Sequence, residues 1–203
     1  MGIDLHSLAA DFKQRAEYSS VDFRDENGNW QTDTDPCFGS VSRRFQNRGH
    51  IEKEELREIG RWKVQGGRID RHLKENSPQK VEAQSEEAFS ASDDRARIAA
   101  LSELKGVRVP VASSILAMWK PEQHAVIDFR ALRALPASKP QLLDQSNYAD
   151  FAEFLELFRT YGSDPDAYEF YVGHVRDLAE RNDLLAREVD MALWEYDRTR
   201  TES

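Results

Sequence analysis

Asp128 is a carboxylate whose position in the sequence suits acid–base or electrostatic chemistry. It follows the short apolar run 125–127 and heads a predicted helix over 129–135. At that place it lies beside the positive end of the helix. A carboxylate so placed can stabilise a developing positive charge or take a proton from water. Its alternative role is to cap the helix, which contributes about 1 kcal/mol, and the two roles are compatible.

A tight hairpin precedes Asp128 in the chain. One helix ends at Leu104, the turn passes through 105–108, and the next helix begins at Val109-Pro110, with proline at a favoured N-terminal position. The unpaired amides of such a turn, together with the helix dipole, form a site for a phosphate group. We therefore expect this turn to be able to bind a phosphate of DNA.

The charge of the chain is unevenly distributed. The net charge of -9 disfavours indiscriminate binding to nucleic acid. From Arg43 to Lys74, however, ten basic residues stand against five acidic ones, whereas from Gln141 to Ser203 six stand against fifteen. One face is therefore expected to accept phosphate while another repels it. Two ordinary solvated helix faces are the alternative interpretation.

The residues around the hairpin carry a specific pattern, Leu104-x-Gly106-Val107-x-x-x-x-Ala112 followed by Val126-Ile127-Asp128-x-Arg130. It resembles the hairpin and valine–aspartate signature of the helix-hairpin-helix DNA glycosylase superfamily. The segment 187–196 resembles, more loosely, the terminal helix that contributes to the base pocket in the 8-oxoguanine glycosylase branch. The resemblance implies an all-α, helix-hairpin-helix DNA glycosylase-like fold, with the hairpin unit at about 94–119 and Asp128 as the catalytic carboxylate. It also implies contacts to the phosphates of DNA from Lys105, Gly106, Val107, Arg108, Val109 and Arg130.

Two positions depart from that signature. Arg108 replaces the second hairpin glycine, which loses backbone freedom but adds a charge for the same phosphate. Pro110 stands where bifunctional members carry a Schiff-base lysine. The resemblance therefore implies a monofunctional enzyme, which hydrolyses the N-glycosidic bond and leaves an abasic site in an intact backbone. The single Cys37 separates the chain from the iron–sulfur branch, and no cofactor or metal is expected.

That reaction needs a charged group and a pocket. As the base departs, the deoxyribose gains oxocarbenium character, which a carboxylate below the sugar stabilises. The base must also leave the stack and enter a pocket with aromatic faces. The candidates are Trp62, Trp119 and Trp194, and core packing is the alternative for each. Trp194 is preferred because it lies off the apolar stripe of its helix.

Lys63 is a second candidate catalytic residue. It continues the core-facing stripe of Leu56, Ile59 and Gly60 by one further turn, where a lysine is unusual. Three roles are open to it. It is a displaced amine nucleophile, a reader of the base, or a side chain whose stem runs along apolar surface while its amine reaches water.

The elements that position these residues are all predicted to be helical. Helices are expected at 3–17, from near 51, at 67–75, 78–91 and 94–104, and in three apolar stripes that begin at Phe151, Tyr168 and Leu185. Turn formers over 25–36 predict a loop, and Gly66-Gly67 is expected to end the second helical block. Ser77 and the run 92–94 predict helix N-caps.

Length and composition bear on the compartment. A chain of 203 residues suits a single helical domain that folds unaided. One cysteine rules out an intramolecular disulfide framework. No apolar run approaches the roughly 20 residues of a membrane span, and the N-terminus is unlike a signal peptide. We expect a cytoplasmic protein that has no membrane contact and no obligatory protein partner.

The sequence thus predicts a DNA glycosylase that acts on double-stranded DNA containing a modified base, in repair or in defence against foreign modified DNA. One alternative is a catalytically silent helix-hairpin-helix module in which Asp128 is only a cap. A second alternative is a helical interaction domain whose acidic C-terminal half contacts a basic protein. Salt-sensitive DNA binding would exclude the interaction domain, and a base-release assay separates the other two.

Overall fold

Helices make up most of the chain in the computed structural model, which describes residues 3–15, 21–24, 30–33, 36–64 and 68–201. The α-helices of those ranges are α1 Leu5–Gln14, α2 Pro36–Phe45, α3 Lys53–Lys63, α4 Asp70–Leu73, α5 Pro78–Ser90, α6 Asp94–Ser102, α7 Val109–Trp119, α8 Phe129–Ser138, α9 Tyr148–Thr160, α10 Pro165–Asn182 and α11 Ala186–Thr201. A short 3-10 helix spans Pro140–Leu143. The expectation of a helical protein is confirmed.

A short antiparallel pair of strands lies between α1 and α2 in the chain. β1 (Val21–Arg24) pairs with β2 (Trp30–Asp33), so that Val21 lies opposite Asp33. The predicted loop over 25–36 is therefore wrong at 30–33, where β2 lies, and neither β1 nor α2 was predicted. Strands of four residues are too short to display a period of two, and the glycine inside α2 weakens its helical pattern. The predicted breakers at 25–29 and at Gly66-Gly67 lie outside the described residues.

The predicted helix starts are confirmed by their caps. The Ser77 hydroxyl accepts a hydrogen bond from the Lys80 amide at 3.2 Å and starts α5. Asp93 accepts one from the Ala96 amide at 2.7 Å and starts α6. These caps are local, because each satisfies an amide three residues away that has no partner inside the helix. Helix starts were therefore readable from the sequence.

Helix α7 lies at the centre of the core. Its residues from Val111 to Met118 are all buried, and it packs against α2, α3, α6 and α10. The small side chains 112–114 allow these neighbours to approach closely. Because α7 is surrounded, the position of its N-terminus is fixed by packing on several sides, and the hairpin before it is held on a rigid support.

The C-terminal stripes differ in how completely they are buried. All five apolar positions of the α10 stripe, from Tyr168 to Ala179, are buried. Leu155 of α9 and Leu185 at the start of the α11 stripe are exposed. Helix α9 packs only along one side, against α8, α10 and the 3-10 helix, so the edge of its stripe faces solvent. Among the described residues no helix has the length and apolar character needed to cross a membrane.

Candidate active site

Asp128 combines a cap with a second, separate contact. It is the N-cap of α8, and its Oδ1 atom accepts a hydrogen bond from the Ala131 amide at 2.9 Å. Its Oδ2 atom lies 3.5 Å from Nζ of Lys63. The cap role that the sequence offered as an alternative is present. It occupies only one carboxylate oxygen, because the other oxygen is turned toward the amine.

Lys63, the last residue of α3, brings an amine to this carboxylate. Its side chain is 12 % exposed. Burial lowers the pKa of Lys63 below its ordinary value, while the nearby carboxylates of Asp128 and Asp190 oppose that shift. An amine with a lowered pKa loses its proton more readily. Because its amine contacts Asp128, Lys63 does more than run along apolar surface with its amine in water.

The two residues line a cavity of about 430 Å³. This volume falls within the range of roughly 300–1,000 Å³ that is usual for small-ligand sites. The lining residues are Lys63, Val64, Pro110, Asp128, Phe129, Arg130, Tyr161 and Trp194. Pro110, at the place of the Schiff-base lysine in the resembled family, faces the same cavity. Tyr161 belongs to the predicted apolar stripe that begins at Phe151, and helical spacing alone does not distinguish a core residue from a residue of a cavity wall.

The three candidate tryptophans lie in different places. Trp194 lines the cavity, and the guanidinium groups of Arg15 and Arg130 lie 4.9 and 5.4 Å from the centre of its ring. Trp119 stacks on Phe89, with ring centres 4.3 Å apart. Trp62 packs against the hydrophobic core. The structure therefore brings Trp194, and neither of the other two, to the lining that Asp128 shares.

The hairpin between α6 and α7 has a defined set of amides. Gly106 has a φ of +83°, a left-handed conformation that favours glycine. The amide of Lys105 donates to Oδ1 of Asn76 at 2.8 Å, and that of Val107 donates to the carbonyl of Leu104 at 3.0 Å. Within the described part of the chain, no hydrogen bond engages the amides of Gly106, Arg108 or Val109. The predicted phosphate donors are thus reduced to these three.

The basic side chains of the hairpin region differ in the contacts that they already make within the protein. Nζ of Lys105 lies 2.9 Å from a carboxylate oxygen of Glu75. Arg130 NH1 donates to the Thr201 hydroxyl at 3.1 Å. Arg108 is exposed, and no ion pair with another described residue involves it. Arg108 is therefore the side chain of this group that is best placed for a phosphate.

The basic stretch from Arg43 to Lys74 is partly neutralised by its own acidic residues. Nε of Arg57 lies 2.8 Å from Oδ1 of Asp70, and Arg61 lies 3.4 Å from the same oxygen. These partly exposed pairs reduce the charge available to a polyanion. We therefore expect the hairpin amides and Arg108 to contribute more to phosphate binding than the basic stretch from Arg43 to Lys74.

Helix α11 supplies a buried ion pair that the sequence did not single out as functional. Arg187 and Asp190 pair inside the protein, and each is nearly inaccessible to solvent. Asp190 Oδ2 accepts a hydrogen bond from the Val126 amide at 2.6 Å. The available signal was an acidic residue among the apolar positions of α11, on the face that also carries Trp194.

The cavity thus offers a carboxylate, an amine of lowered pKa and an aromatic wall. In the ranges that the structure covers, no three His, Cys, Asp or Glu side chains are grouped so that they could hold a metal ion. The chemistry available to the described side chains is acid–base, electrostatic or nucleophilic. Comparison with protein-family models, curated proteins and solved structures finds no match for the chain.

Proposed function

We propose that the protein is a DNA glycosylase, which cleaves the N-glycosidic bond of a damaged or modified base in double-stranded DNA. The observation that carries the proposal is the position of Asp128. Its Oδ2 atom faces a cavity of about 430 Å³ that Trp194 also lines. The cavity can receive a base that has left the stack, and the carboxylate can then act on its sugar.

The hairpin supports a phosphate contact close to that cavity. Pro110 lines the cavity, and Arg108 and Val109, whose amides have no partner among the described residues, come immediately before it. A phosphate bound there would lie beside the N-terminus of α7, where the helix dipole favours an anion. The nucleotide that carries the target base would be held near Asp128.

The proposed reaction is hydrolysis. The bond between C1′ of the deoxyribose and the base nitrogen breaks, and the base departs with the electron pair. Asp128 stabilises the oxocarbenium character of the sugar and accepts the proton of the attacking water. The water oxygen forms the new bond to C1′, which leaves an abasic site in an unbroken strand.

A helix-hairpin-helix DNA glycosylase-like fold is part of this proposal. It is supported by the order of the elements: α6, a hairpin with Gly106 in the left-handed conformation, α7, and then an aspartate at the start of α8. Repair and defence against foreign modified DNA are both compatible roles for such an enzyme in the cytoplasm.

A second candidate is favoured by the distance of 3.5 Å between Lys63 and Asp128. In this reaction Nζ of Lys63, rather than water, attacks C1′ as the base departs. The nitrogen then loses a proton and the bond between C1′ and O4′ breaks as O4′ takes up a proton, which opens the ring and gives a Schiff base. Removal of a proton from C2′ then drives β-elimination, in which the bond between C3′ and its phosphate breaks and the phosphate departs with the electron pair. The enzyme would then nick the strand as well as release the base.

Base release from a panel of duplexes tests the proposal. Duplexes that contain oxidised, alkylated, deaminated or hypermodified bases are incubated with the protein and then heated in alkali, which breaks the strand at abasic sites. We expect strand breaks at one class of modified base, and none when Asp128→Asn is used. Duplex binding without breaks on any substrate would favour the catalytically silent module instead.

A further inference from the structure

Each residue of the segment that leads to Asp128 is attached to a different helix. The Val126 amide donates to Asp190 Oδ2 of α11 at 2.6 Å. The Ile127 amide donates to the Ser113 hydroxyl of α7 at 3.2 Å, and that hydroxyl donates in turn to the carbonyl of Pro110 at 2.9 Å. Asp128 itself is held by α8 and by Lys63 of α3.

The attachment through Asp190 is a built feature of the core. Asp190 is 2 % exposed, and its Oδ1 atom pairs with Arg187. The Arg187 guanidinium lies 4.8 Å from the ring centre of Phe38 and 5.6 Å from that of Phe12. Burial raises the pKa of Asp190 to about 7, against the opposing effects of Arg187 and of the Val126 amide. In either protonation state one oxygen remains to accept that amide.

A buried ion pair is expensive, and removing it in favour of apolar residues is often neutral or stabilising. The Arg187–Asp190 pair beside the cavity is therefore expected to have a role other than stability. The bond to Val126 lies two residues before Asp128, where a small displacement of the backbone moves the carboxylate directly. The Arg187 guanidinium fixes the orientation of the Asp190 carboxyl that makes this bond.

We propose that Asp190 is a positioning residue, which holds Asp128 in its reactive place through the hydrogen bond to the Val126 amide. The inference rests on the proposed function for its consequence in catalysis, but the positioning itself can be measured without it. A misplacement of about 1 Å in a reacting group is enough to lower a rate roughly 100-fold.

Two double variants isolate the hydrogen bond. Arg187→Met with Asp190→Asn removes both charges and keeps an oxygen that accepts from Val126. Arg187→Met with Asp190→Leu removes the charges and the acceptor at nearly the same volume. Thermal melting of both variants checks that each is folded. We expect the Asn variant to release base within about fivefold of the wild-type turnover rate and the Leu variant to lose about 100-fold, with similar affinity for the duplex.

A second measurement does not depend on activity. The Ala131 amide donates to Oδ1 of Asp128, so its hydrogen exchange reports where that carboxylate lies. Exchange at Ala131 is expected to be about tenfold faster in the Leu variant than in the Asn variant. If the wild type releases no base from any duplex, the proposed function fails, while the Ala131 comparison still decides the positioning.

The pair of Lys139 and Asp177, which links the C-terminal end of α8 to α10, gives a control, since Lys139 is 5 % exposed. Lys139→Met with Asp177→Leu removes a partly buried pair outside the cavity, and base release per folded molecule is expected to stay within about twofold of the wild type. Equal base release and equal Ala131 exchange in the two Asp190 variants would overturn the proposal. Equal losses in both would assign the effect to charge, which also contradicts it.

Discussion

Lys63 and Asp128 are 65 positions apart in the chain, and their side chains meet at 3.5 Å in a cavity wall. The last turn of α3 brings the amine, and the first turn of α8 brings the carboxylate. The two carboxylate oxygens of Asp128 have separate roles, because Oδ1 caps α8 while Oδ2 faces the Lys63 amine. This division allows the cap and the chemistry to be tested separately.

Asp128→Asn should strongly lower the catalytic rate and preserve the fold. Asparagine caps helices about as well as aspartate, so the free energy of unfolding should change by no more than about 1 kcal/mol. Loss of a preorganised charge should lower the single-turnover rate of base release about 100-fold or more. Rates from alkali-treated duplexes and thermal melting are measured on the same preparation. Base release at the wild-type rate would show that Asp128 is only a cap.

The fate of the strand identifies the nucleophile. If water attacks, the product remains unnicked until alkali is added, and borohydride traps no covalent complex; this is the expected result. Lys63→Met should then lower the rate of base release, because it removes the amine that donates to Oδ2 of Asp128 and holds that oxygen in place. A trapped complex in the wild type that is absent from Lys63→Met would instead establish the amine mechanism. Arg159→Met, at an exposed position of α9 outside the cavity and the hairpin, controls for the loss of a basic residue.

Trp194 and Trp119 form a matched pair for the base pocket. Trp194→Leu should reduce base release about tenfold or more, because it removes the aromatic wall that the cavity offers to a base. Trp119→Leu should lower the free energy of unfolding by about 2–4 kcal/mol through lost stacking on Phe89, with normal release per folded molecule. Similar losses of activity in both variants would argue against a specific role for Trp194.

The parts of the site that follow from local chemistry were predictable from the sequence. The caps at Ser77 and Asp93, the hairpin with Gly106 and the aspartate at the start of α8 each depend on residues a few positions apart. Such features can be recognised from residue type, because the backbone geometry that requires these residues is formed within one turn of the chain.

The parts that depend on tertiary packing were not predictable. Helical periodicity placed Lys63 on a core-facing stripe but gave no partner, since Asp128 lies 65 positions away in the chain and meets it only in the folded protein. The same periodicity could not separate Trp194 at the cavity from Trp119 in a ring stack. The hydrogen bond from Val126 to Asp190 joins a loop to α11 and leaves no local signal.

The hairpin should contribute to DNA binding in a way that salt reveals. Arg108→Ala should reduce the slope of log K against log salt concentration by about one, because one phosphate contact is lost. Gly106→Val should weaken binding more broadly, since a Cβ there would lie 2.9 Å from Cβ of His72 and the φ of +83° disfavours valine. Titrations at several salt concentrations, with melting curves for each variant, make the measurement.

Arg159→Ala is the control for a lost arginine, since Arg159 is exposed on α9 and pairs with Glu156. Its salt slope should equal that of the wild type. An unchanged slope for Arg108→Ala would show that the hairpin has only a structural role.

His124 should make the protein sensitive to acid. It is 1 % exposed, and burial lowers its pKa to about 3, with Arg176, Arg97 and Lys120 acting in the same direction and Asp94 against it. Nδ1 of the imidazole lies 3.2 Å from the Tyr168 hydroxyl. A folded pKa below the unfolded value of about 6.5 means that the unfolded chain takes up a proton first. The stability present above pH 6.5 is therefore lost as the pH falls toward 3.

At pH 4.5 this loss should reach about 2–3 kcal/mol, since each pKa unit of difference corresponds to about 1.4 kcal/mol. His124→Gln cannot gain that proton, so its free energy of unfolding should fall less between pH 7 and 4.5, whatever its stability at neutral pH. Urea unfolding at both pH values gives the two differences, with His6→Gln, at an exposed position of α1, as the control. The same decrease in His124→Gln as in the wild type would show that other groups, such as Asp94, determine the acid sensitivity.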